Sequence, residues 1–198
     1  SEMCIRDRLC DVHSALFHGS ATDAQKLHAK DIQDQRLSAA AALIQISGHP
    51  LQTFTLENAA LEKLIARAKQ VLENGTINDG SLNELRQIAI HYARKGDLLY
   101  PHLKVQYGIS GPSAVMWTVD DEIRDELNAL AKQKDQKETD AWKQRLNAVL
   151  TRMEEMIYKE SNILFPNCAL NFSEEEWYHI YRDAKDYAEC FGIRGDSW

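Results

Sequence analysis

A chain of 198 residues with 44% hydrophobic content is long enough for one domain with its own core plus an appendage. Its 23 basic and 30 acidic residues leave a net charge of −7 with no basic stripe beside aromatics, which argues against nucleic acid as a partner. No apolar run approaches the ~20 residues of a membrane span, and four cysteines without a Cys-x-x-Cys pair read as free thiols in a reducing cytoplasm.

The first eight residues, Ser-Glu-Met-Cys-Ile-Arg-Asp-Arg, show neither an apolar period nor a secretory pattern and read as a non-native leader. An apolar-periodic helix carrying His13 follows over 9–17, stopped by Gly19. Thr22 and Gln25 have capping-box spacing and start a second short helix to about residue 35. The alanine-rich run 39–44 is helix-compatible up to Gly48-His49-Pro50, where Pro50 can occupy a first helical turn.

Four longer helices come next. The first spans about 51–73, with Leu51, Phe54, Leu61, Leu64, Ile65, Ala68 and Leu72 in one apolar stripe, and ends at Asn74-Gly75. The second opens on the Ser81/Glu84 capping box, turns Leu85, Ile88, Tyr92 and Leu99 inward, and closes at Pro101 and Gly108. Pro112 and Ser113 open the third, to about 134, with Val115, Val119, Ile123, Leu127 and Leu130 inside. After a charged turn over 132–140, the fourth runs from about 141 to 164 on Trp142, Leu146, Val149, Leu150, Met153 and Ile157, and Pro166 stops it. Ser173 with Glu176 caps a last helix to about 190, whose Trp177, Ile180, Tyr181, Ala184 and Tyr187 cover one end; Trp117, Trp142 and Trp177 all read as core. Residues 191–198 read as a tail without a fold of its own. No segment alternates as a strand does, so the fold class is all-α.

These helices are duplicated. His91-Tyr-Ala-Arg-Lys95-Gly-Asp-Leu-Leu-Tyr100-Pro101 returns from 91 to 156, an offset of 65, as Met156-Ile-Tyr-Lys-Glu160-Ser-Asn-Ile-Leu-Phe165-Pro166. Phe54-Thr55-Leu56-Glu57-Asn58 returns at a near-equal offset as Trp117-Thr118-Val119-Asp120-Asp121. Two copies of a helix hairpin pack as a four-helix bundle.

The His-x-x-x-Lys and aromatic-Pro pattern, Asp120-Asp121-Glu122-Ile123-Arg124 and Lys159-Glu160-Ser161-Asn162-Ile163-Leu164-Phe165-Pro166 resemble the helix motifs of hemerythrin-like domains. Leu9-Cys10-Asp11-Val12-His13, Gly48-His49-Pro50 and Tyr107-Gly108-Ile109-Ser110-Gly111-Pro112-Ser113 resemble more narrowly a bacterial branch of unknown function. That branch joins a short amino-terminal helical domain to a hemerythrin-like core and often adds a PAS sensor domain. The resemblance implies an antiparallel four-helix bundle over 49–190, a helical extension over 9–48 and a capping helix. It also implies a role in ligand sensing or binding, not catalysis: iron, heme, or a diatomic or redox signal passed to an attached domain, a partner or a second copy.

Bundles of this kind hold metals on inward side chains of facing helices. Set against the resemblance, His91 stands at the family's histidine place, whereas its expected acidic partner is Lys95 or Gly96. Asp120, Met116 and Met156 stand where histidines are usual, and Glu160 keeps the carboxylate. One histidine and three carboxylates argue against a dioxygen-carrying diiron site. Two sharper readings stay open beside a core without any cofactor. One is a carboxylate-rich site for one or two iron or manganese ions, built from Glu57, His91, Asp120 and Glu160. The other is a heme or flat-ligand pocket using His13, His49, Met116 and Met156. Against them stand acids at the stripe's edge reaching water, His91 as a hydrogen-bonded core residue, and Met as ordinary core filler.

Overall fold

Helices account for all the regular structure in the computed structural model, which describes residues 22–108 and 111–198. The leader over 1–8, the helix expected over 9–17, His13, Cys4 and Cys10 lie outside the described residues. The elements are α1 (Asp23–Ile44), α2 (Pro50–Asn74), α3 (Asp79–Arg86), α4 (Ile88–Arg94), α5 (Gly111–Lys132), α6 (Asp140–Lys159), α7 (Phe165–Asn171) and α8 (Glu174–Ala184). Among the described residues no strand forms, and none of the helices is long and apolar enough to cross a membrane.

The bundle is α2, the broken helix α3–α4, α5 and α6. Each helix packs on the next and α6 returns to α2, as short connections between antiparallel neighbours require. Their apolar stripes meet in one core that includes Leu51, Phe54, Ile65, Leu85, Ile123, Leu127, Trp142, Leu146 and Met153, each side chain contributing roughly 1.5–3 kcal/mol by leaving water. α1 lies along α7, and α8 rests on α2.

Several boundaries differ from the sequence reading, each for a local reason. The Thr22/Gln25 box forms, but α1 runs unbroken through the alanine run instead of stopping near 35. Asn78, not Ser81, caps the second bundle helix, its side chain accepting from the Ser81 N–H at 2.7 Å. Val115 is 62% exposed and Trp117 47% exposed, because Met116, Asp120, Ile123 and Leu127 set the inward register of α5 and both lie off it.

Pro166 does not end the fourth helix. The Phe165 N–H bonds the carbonyl of Glu160, five residues back, so a π-helical turn over Glu160–Leu164 widens the backbone and α7 continues through the proline. The widening makes room for the ring that would otherwise meet the Asn162 carbonyl. That freed carbonyl instead accepts from Gln33 Nε2 of α1 at 2.9 Å. The same turn occurs over Lys95–Leu99 before Pro101, at the 65-residue offset of the duplication.

Residues 191–198 pack on the domain, contrary to the loose tail expected. Trp198 stacks on Tyr178 at 4.5 Å and lies 4.8 Å from His49, and Ser47 Oγ donates to Asp196 at 2.8 Å. Gly48 makes this possible: its φ is +78°, and a Cβ there would come within 2.6 Å of the Asp196 carbonyl. Gly48→Ala is therefore expected to cost roughly 1–2 kcal/mol for the left-handed backbone alone and to detach the tail. Trp198 fluorescence and limited proteolysis at the carboxy terminus check both effects.

Candidate cation site

The duplication sends acids from α2, α5 and the end of α6 towards a common centre, and the broken helix answers with bases. Glu57, His91, Asp120 and Glu160, one from each bundle helix, are all buried and joined in one polar network. His91 Nε2 lies 2.7 Å from Glu160 Oε1, and its Nδ1 lies 3.3 Å from Glu57 Oε1. With a carboxylate on each ring nitrogen, the imidazole is held as the doubly protonated cation. Burial alone would lower its pKa, but Glu160 and Glu57 outweigh burial and raise it to about 9.

Lys95 is the residue whose place the sequence reading missed. Fully buried, its ammonium donates to Asp120 Oδ1 and Glu160 Oε2, both at 2.8 Å, and sits 4.3 Å from the Tyr92 ring centroid. Tyr100 completes the seat, its hydroxyl donating to Asp120 Oδ2 at 2.8 Å. Arg94 performs the matching task at the other corner, pairing with Glu57 Oε2 and lying over Phe54. Asn58 Nδ2 adds a hydrogen bond to Glu160 at 3.2 Å.

The three carboxylates respond according to how many cations each receives. Burial would raise Glu160, yet Lys95 and His91 together bring it down to about 2. For Glu57 burial is likewise outweighed, by His91 and Arg94, and its pKa is lowered. Asp120 shares one ammonium with a stronger claimant, so burial prevails and its pKa rises to about 6. Near neutral pH the centre holds Glu57, Asp120 and Glu160 against His91, Arg94 and Lys95, so its charges balance internally.

Cys190, beyond the duplicated hairpins, enters the network from the turn after α8. Its thiol donates to Glu57 Oε2 at 2.9 Å, and burial with the adjacent carboxylate pushes its pKa well up. Both described cysteines, Cys168 and Cys190, are free and buried. Ligand atoms of Glu57, His91 and Cys190 all lie within 4.8 Å of one another. Next to them, Arg94 lines a surface cavity of about 310 Å3 bounded also by Phe54, Tyr187, Ala188 and Asp196.

Of the residues expected to form a heme pocket, the three that are described have other roles. His49 caps α2, its Nδ1 accepting from the Leu51 N–H at 3.0 Å, and burial lowers its pKa to about 4. It lies between Trp177 and Trp198. Met116 and Met156 are buried core residues, and the cavity beside Arg94 is lined by none of the three.

Three carboxylates and an imidazole, one from each helix of the antiparallel bundle, thus meet in its interior. The hemerythrin HHE cation binding domain matches residues 49–168, and the chain belongs to that family. None of the curated proteins matches it.

The donor set decides what this member can hold. A pair of metal ions does not fit, because the Lys95 ammonium lies between Asp120 and Glu160 and Arg94 holds one oxygen of Glu57. The nitrogen, oxygen and sulfur donors of His91, Glu57 and Cys190 lie close enough together for one cation to reach all three.

Proposed function

We propose that the domain is a metal-responsive binding module in which Glu57, His91 and Cys190 hold at most one cation, iron being the ion that the family points to, and that an attached domain or partner reads its presence. The convergence of three buried donors within 4.8 Å beside the cavity carries this reading. Bound there, such an ion would supply a Lewis-acidic, redox-active centre. To receive it, Arg94 would have to release Glu57 and Cys190, His91 would give up the proton on Nδ1, and Cys190 its thiol proton. Binding thus releases protons and strengthens as pH rises.

The expected result is one equivalent of Co(II) bound by the full chain near pH 8, with a sulfur-to-cobalt absorption band. The Cys190→Ala variant should lack that band, and occupancy should fall as pH is lowered. No uptake above background overturns the reading. The charge balance at the centre favours a second one in that event: an interaction module that keeps the fold and works without metal.

A further inference from the structure

The duplication makes Lys95 and Glu160 equivalent positions, since each opens the π-helical turn of its own copy and the two stand 65 residues apart. Across the bundle centre these equivalents touch: Lys95 Nζ is 2.8 Å from Glu160 Oε2. One copy therefore offers a carboxylate and the other an ammonium. The ammonium's surroundings are those of a bound cation, with two carboxylate oxygens at 2.8 Å, the Tyr92 ring face at 4.3 Å and complete burial. Removing it would leave Asp120 and Glu160 facing each other across a dry interior, with His91 and Arg94 too few to balance three acids.

We infer that the Asp120–Glu160–Tyr100 seat is a second cation site, permanently filled by the chain's own Lys95, and that replacing Lys95 by an acid converts it into a site for a divalent metal ion. Oxygen-only ligands of this kind suit manganese or magnesium over softer ions. The seat rests on the reading of the bundle centre as a place for cations, but not on metal being held at the Glu57 corner. Both chains are therefore tested in a Cys190→Ala background, where that corner lacks its thiolate.

In that background the chain with Lys95 intact is expected to bind no Mn2+ by electron paramagnetic resonance, and its melting temperature should not respond to the ion. With Lys95→Glu added, the buried centre changes from balanced to two negative charges in excess. The variant should bind one Mn2+ and melt at least 10 °C higher in its presence than in chelator. Lys95→Met fills the space without charge and should be destabilised yet indifferent to Mn2+. The inference is overturned if the intact chain takes up Mn2+ at the centre, if Lys95→Glu binds none or stays unfolded at saturating Mn2+, or if Lys95→Met responds equally. Failure of Co(II) uptake by the wild type would instead strike only the Glu57 corner.

Discussion

Glu160→Gln is expected to destabilise the protein by about 3–5 kcal/mol, the cost of removing one partner from a buried ion pair. Glu160 faces two cations, His91 at 2.7 Å and Lys95 at 2.8 Å, and Asn58 also donates to it. An amide keeps the shape but leaves the centre one positive charge in excess, with His91 deprived of its nearer carboxylate. Chemical denaturation measures the loss. Glu154→Gln is the control: Glu154 pairs with Lys69 at 3.0 Å on the surface of α6, and its loss should stay within about 1 kcal/mol. Equal effects from the two variants would mean that the central network contributes no more than a surface pair.

The second large effect is with pH. In the metal-free protein the His91 pKa is raised from 6.5 to about 9, so the folded state binds the proton more tightly than the unfolded chain. That contribution is fully present below pH 6.5 and is lost as pH rises through 9, a fall on the order of 3 kcal/mol from a shift of this size. Asp120, ionised in both states above about pH 6, does not oppose the fall, and Cys190, whose thiol is pushed up, adds to it at the alkaline end. Denaturation midpoints should therefore decline from pH 6.5 to 9, and His91→Gln should flatten that slope. A midpoint that is constant or rising across this window would show that His91 is neutral in the folded state.

The bundle was legible in the sequence because its signals are periodic and local. Three-and-four spacing marked Leu61, Ile65 and Ala68, and capping boxes marked Thr22 and Ser173. The same logic failed where a neighbour decides the outcome. Pro166 reads as a stop unless one knows that a wide turn precedes it and that Gln33, far back in the chain, covers the carbonyl it frees. At the centre, Glu57, His91, Asp120 and Glu160 lie in one buried network, but the donors close enough to share an ion are Glu57, His91 and Cys190. Set against the family pattern, Lys95 reads as a lost ligand. Pairing the two copies with each other would have set Lys95 against Glu160, opposite charges at matching positions. Cys190 carried no signal of that kind, since it lies outside the repeat and reaches Glu57 only through the turn after α8.

The wide turns over Lys95–Leu99 and Glu160–Leu164 act as phase slips in the helical register. One additional residue per turn delays the rotation of everything downstream, so Tyr100 and Phe165 both return to the interior next to Leu99 and Leu164. The slip thereby returns Tyr100 to the level of Asp120, to which its hydroxyl donates, and sets Phe165 against Phe54 on the opposite copy.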